Sequence, residues 1–151
     1  MIGLADISFA YPLRWPSGRR RTVAPHHGSY QHPLGTISAT EGDDALRRLR
    51  AQFWAAGIGA IEVTCDQPIA PVGAGHVLLE PVPADCGVAV HFTVGGDAFA
   101  LACDGYASLA NNIASIAAHI DALRWQHERG RVSIEDSLRG FSVQLPTAAA
   151  A

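Results

Sequence analysis

The chain contains no lysine. Apart from histidine, its positive charge is carried by arginine alone, and seven of the eleven arginines lie between Arg14 and Arg50. None lies between Ala51 and Leu123. Cysteine is scarce and odd in number: Cys65, Cys86 and Cys103 have no CxxC spacing, which argues for thiols buried at strands rather than a disulfide or zinc framework. No apolar run approaches the roughly 20 residues that span a bilayer, and the first residues lack the pattern of a signal peptide. A cytoplasmic chain without a membrane partner is expected. The GxSxG, P-loop, HExxH and GxGxxG patterns are all missing, so neither a cofactor nor one of the common nucleophilic or nucleotide-dependent chemistries is signalled.

What is present suits one domain. With 151 residues, 48% of them hydrophobic, the chain is long enough to bury a core without metal or disulfide staples. The expected division is a single α/β domain over residues 1–146, with a long basic loop at 11–35 and an alanine-rich tail at 147–151. The formal charge of −3 is too small to imply a partner, but its distribution is uneven. An early arginine-rich third is followed by a middle carrying Glu62, Asp66, Glu80, Asp85, Asp97, Asp104 and Asp121.

Residues 85–130 form the clearest pattern. Val88, Val90, Phe92 and Val94 share one period-2 face, with Ala89, His91 and Thr93 on the other, a mildly polar face suited to cover by a helix. Gly95-Gly96 supplies the positive φ angles of a two-residue hairpin, and residues 98–103 form the return strand. The period then changes to three and four through Leu109, Ile113, Ile116, Ile120 and Leu123, predicting a helix of roughly 20 residues that stops at Gly130. Upstream, residues 5–11 predict a short strand, and residues 40–56 a helix with Thr40 and Asp43 as a capping box. Residues 58–64 predict a second strand, and residues 68–83 a long connection with one short edge strand. Ser133 and Asp136 predict a cap for a short helix through Arg139. The architecture expected is a two-layer α/β domain: a small antiparallel or mixed sheet packed by two main helices.

Two groups of residues carry candidate function. In the basic loop, Trp15 stands near Arg19, Arg20 and Arg21, and the predicted first helix adds Arg47 and Arg50. Guanidiniums meeting phosphate, with Trp15 stacking on a base, would make a nonspecific nucleic-acid surface. The same residues also suit arginine–aromatic contacts that pin the loop to the body. The second group is Asp85 and Asp104, which the hairpin register brings together. Such a pair suits Mg²⁺-dependent phosphodiester hydrolysis or divided acid and base roles, or simply a turn end and a helix cap. His26, His27 and His32 match no zinc spacing.

The segments YPLRWP, VTCD, DCGVAVHF, ACDGY, NNIASIAAHIDALRWQHERG and GFSVQLP resemble, in this order, a region of little-characterised bacterial and phage proteins, many of which carry a J-domain downstream. The resemblance runs from about Tyr11 to Pro146. It implies a small domain from mobile-element contexts and no particular reaction, with Asp85, Asp104, Asn112, Arg124, Glu128 and Arg129 at the matching polar positions. No J-domain is expected within this chain, since His32-Pro33 is followed by Leu34 and not by the aspartate of the J-domain signature. The functional expectation is a non-enzymatic nucleic-acid-associated or protein-interaction domain, meeting nucleic acid or an acidic protein. The alternatives are a metal-dependent hydrolase or nuclease-like enzyme using Asp85 and Asp104 with Mg²⁺, and a structural subunit of a homo-oligomer or larger assembly.

Overall fold

A computed structural model describes residues 3–27, 42–67, 69–72, 75–78 and 83–143. Strand β1 (Asp6–Ala10) leads through the basic loop to helix α1 (Gly42–Ala55) and strand β2 (Ala60–Cys65). A separate ribbon follows, β3 (Ile69–Val72) with β4 (Gly75–Leu78), and then the hairpin β5 (Val88–Val94) and β6 (Asp97–Cys103). Helix α2 (Leu109–Gly130), the short α3 (Ile134–Ser137) and a 3₁₀ turn (Arg139–Phe141) complete the order.

The main sheet is mixed, in the order β1-β2-β5-β6. Strand β1 runs parallel to β2, whereas β2–β5 and β5–β6 are antiparallel. Parallel neighbours need a long crossover, here the basic loop and α1. The hairpin has the expected construction. Gly95 and Gly96 have φ of 60° and 88°, and Val94 pairs with Asp97 across them.

One face of the sheet carries the core. Ile61, Val63 and Cys65 of β2, Val88, Val90 and Phe92 of β5, and Phe99 and Leu101 of β6 are buried against the two helices. Leu46, Leu49 and Phe53 fill this layer from α1, and Ile113, Ile116 and Ile120 from α2. Phe53 meets Phe92 edge-on at 4.9 Å between centroids. Alternation along the strands and three-to-four spacing along the helices put these residues on facing surfaces, and their removal from water is the main stabilising contribution.

Several expectations change in detail. Among the described residues the 68–83 connection holds two strands, not one, and they form a ribbon of their own outside the main sheet. Pro71 is tolerated there because every strand of a two-stranded ribbon is an edge. Helix α2 keeps Gly130, and Arg131 takes the left-handed closing conformation at φ 58°. Ser108 is its N-cap, accepting from the Asn111 amide at 3.4 Å. Ser133 caps α3 by accepting from the Asp136 amide at 3.0 Å, but the helix ends at Ser137 before the 3₁₀ turn. The expected Thr40 cap lies outside the described residues. No helix among the described residues is long and apolar enough to cross a membrane.

The second face of the sheet is covered by an irregular strap, residues 13–22, not by a helix. The Arg14 amide donates to Thr64 Oγ1 at 3.0 Å, and the Leu13 amide to Asp66 Oδ1 at 2.9 Å. Thr64, Ala89 and Ala100 are buried beneath it. Small side chains on this face let an extended backbone lie close, and polar ones give it hydrogen-bond partners.

Candidate functional site

The hairpin register places Asp85 just before β5 and Asp104 just after β6, at one end of the sheet. Both carboxylates meet the same cation. Arg21 Nη2 lies 2.5 Å from Asp85 Oδ1, and Arg21 Nε lies 2.7 Å from Asp104 Oδ2. Thr22 adds two donors to Asp104, its amide to Oδ2 at 2.9 Å and its hydroxyl to Oδ1 at 2.6 Å. The Gly87 amide donates to Asp85 Oδ1 at 2.9 Å. Asp104 is only 7% exposed, so its ionised form depends on these donors.

The acidities follow from this arrangement. Its hydrogen bond to Arg21 holds the Asp85 carboxyl below the ordinary 3.8, against a smaller opposing effect of burial. Burial acts to raise the Asp104 carboxyl, but the Thr22 hydroxyl and Arg21 outweigh it, and the net direction is down. The Arg21 guanidinium is raised by the same two carboxylates, so all three groups are charged at neutral pH. The two acids are therefore neighbours, as the hairpin implies, with a guanidinium joining them. Among the described residues no group of three or more His, Cys, Asp or Glu side chains is placed to hold a metal ion.

The strap residues are equally committed to internal contacts. Arg21 lies over the Trp15 ring at 4.5 Å, and Trp15 Nε1 donates to the Arg19 carbonyl at 3.0 Å. Arg19 stacks over Phe141 at 4.9 Å, with His119 edge-on to the same ring at 4.9 Å. Arg14 forms an ion pair with Glu62, and its carbonyl lies 3.2 Å from His91 Nε2. On α1, Arg50 Nε donates to the Ala5 carbonyl at 2.7 Å, while the Ala5 amide donates to the Arg50 carbonyl. Arg20 and Arg47 are exposed. Of the six residues nominated for nucleic acid, Trp15, Arg19 and Arg21 converge on one another, Arg50 ties α1 to β1, and Arg20 and Arg47 face solvent.

Two further positions gain definite roles. Asn112 is fully buried in the first turns of α2. Its Nδ2 donates to the carbonyls of Cys86 and Tyr106 at 2.7 and 2.9 Å, and its Oδ1 accepts from the Tyr106 amide at 2.9 Å. It thereby joins the helix to both ends of the hairpin, next to the Asp85–Arg21–Asp104 cluster. Arg124 meets Glu128 as its i,i+4 spacing predicts, and also Asp121 at 2.7 Å and Gln52 of α1 at 3.5 Å. Thr22 escaped sequence reasoning because its partner stands 82 positions away. His26 pairs with Tyr106 as an isolated bridge, and His27 is exposed; His32 lies outside the described residues.

Two tryptophans of the helices are exposed. Trp54 near the end of α1 is 51% exposed and Trp125 on α2 is 58% exposed. Trp54 stands toward Gly3, ahead of β1, and Trp125 toward the C-terminal turns of α2. Arg129 stacks over Trp125 at 4.8 Å, and the Gly3 backbone lies against the Trp54 indole, leaving no room for a side chain there.

The fold and these sites define a two-layer α/β domain with a charge-latched strap. Comparison of the chain with family models, curated proteins and solved structures finds no match.

Proposed function

We propose that this chain is a non-enzymatic interaction domain that docks another protein at the C-terminal turns of helix α2. The observation carrying this reading is Trp125, more than half exposed on α2 with Arg129 stacked on its ring. Tryptophan and arginine are the side chains most enriched among residues that dominate binding energy, and Arg129 completes the group. The Arg21 guanidinium between Asp85 and Asp104 supports a binding role over a hydrolytic one, since both carboxylates already neutralise a cation. The metal-dependent alternative requires Arg21 to leave. Three free thiols suit the cytoplasm as compartment, and the sequence resemblance adds a mobile-element setting.

The test is site-specific crosslinking in cells, with a photoreactive side chain at Gln126 and, separately, at Arg20. A discrete protein adduct from position 126, lost in a Trp125→Ser variant, is the expected result. An adduct of twice the chain mass identifies the partner as a second copy. Nucleic acid captured at position 20, with nothing at 126, overturns the protein-docking reading. That outcome favours the second reading, nucleic-acid association through Arg20 and Arg47, which are exposed. Oligonucleotide affinity would then fall steeply with salt and with loss of those two arginines.

A further inference from the structure

Beneath the strap lies a cleft of about 720 Å³, within the range of small-molecule sites. Its construction follows from the second face of the sheet. Near the Gly95-Gly96 turn that face carries Thr93 opposite Ala98, two small side chains, so the sheet surface is low there. Trp15 and Pro16 form one wall from the strap, and Ser142 and Val143 form another. The second wall is held by the Val143 amide, which donates to the Ala98 carbonyl at 2.9 Å. Trp15 is fixed from behind by Arg21 over its ring and by its indole N–H bond to Arg19.

The polar end of the cleft decides what it can hold. Among the described residues its charged lining groups are Arg14 and Glu62, and these form an ion pair with each other. His91 completes that end, with Nε2 against the Arg14 carbonyl. Burial and the nearby Arg14 push the His91 imidazole down, so it is neutral at pH 7. The ion pair leaves no net charge there, and a charged guest would lose hydration without gaining an unpaired counter-charge. An uncharged guest loses little and covers apolar wall.

We propose that this cleft is a binding site for an uncharged, largely apolar small molecule, with a hydrogen-bonding group directed at Glu62 and His91. The site is distinct from the Trp125 surface of α2 and does not depend on it. Indole-3-acetamide, indole-3-acetate and tryptamine are suitable probes, because they share one bicyclic ring and differ in charge. Titration followed by backbone amide NMR of the full chain is expected to give saturable shifts at Thr93 and Ala98 with the neutral amide. Each charged analogue is expected to bind at least roughly ten-fold more weakly, corresponding to a difference of about 1.4 kcal/mol or more. Thr93→Leu starts from an exposed position and narrows the cleft; it is expected to weaken binding and leave the unfolding midpoint unchanged. Equal affinity for all three probes, absence of saturable shifts at Thr93 and Ala98, or unaltered binding to a folded Thr93→Leu chain would overturn the proposal. Should Thr93→Leu lower the midpoint, Ser142→Leu on the opposite wall replaces it with the same expected and contrary outcomes.

Discussion

The two faces of the main sheet are built from alternate residues of the same strands, yet different forces hold their covers. On one face, Val63, Val90, Phe92 and Leu101 lose water against two amphipathic helices. On the other, Glu62, Thr64 and His91 meet an irregular strap through an ion pair and hydrogen bonds, with Asp85 and Asp104 gripping its far end. Apolar burial is non-directional and nearly indifferent to salt and pH. The strap's attachment depends on charge states and on bond geometry. A single period-2 pattern thus produces a permanent core on one side and a condition-sensitive cover on the other.

The contrast is tested most severely from the core. Phe53→Ala removes a fully buried ring that packs on Phe92, and a loss of about 3–5 kcal/mol is expected in denaturant unfolding. That loss should be the same at low and high salt. Asn112→Ala comes next, at about 2–3 kcal/mol, because it leaves the Cys86 and Tyr106 carbonyls and the Tyr106 amide without their partner. If instead the change is negligible, Asn112 does not join helix to hairpin.

Arg21→Met should cost about 2 kcal/mol, less than either core change, because Arg21 itself is partly exposed although Asp104 is not. Its distinguishing effect is local: faster amide exchange in residues 13–22 with little change in the helices. The pH dependence carries the same message. Asp85 and Asp104 titrate below their ordinary value, so their contribution is complete above pH 3.8 and is lost as pH falls through their lowered folded values. His91 and His119 are both held below 6.5 by burial and nearby arginines, so the unfolded chain takes up protons first and stability declines as pH falls below 6.5. A His91→Gln/His119→Gln variant should flatten the unfolding free energy between pH 6.5 and the carboxylate range; an unchanged slope would dissociate the strap from these rings. The smallest effect expected is that of Trp125→Ser, within about 0.5 kcal/mol in stability, since that side chain is mostly exposed.

Much of the helix-covered face was legible from residue order. The alternation from Val88 to Val94, the Gly95-Gly96 turn and the apolar stripe from Leu109 to Leu123 are local patterns, and they correspond to β5, the hairpin turn and α2. Local logic also brought Asp85 and Asp104 together, because the two ends of a hairpin must meet. It could not reveal what lies between them, since Arg21 is 64 positions from Asp85 and 83 from Asp104. Nor could it distinguish an arginine awaiting phosphate from one already facing a carboxylate. The same blindness concealed one strand of the β3–β4 ribbon, where Pro71 and Gly75 pointed to a loop around a single short strand.

From residue order alone came the elements, the turn between them and the faces they bury, because periodicity and glycine conformation act over a few neighbouring positions. Only the tertiary structure decided that the strap lies on the sheet, that its cations are held by the hairpin's acids, and that a charge-balanced cleft remains beneath it. Charges find their partners through space, and chain closure alone brought Arg21, Asp85 and Asp104 to one point.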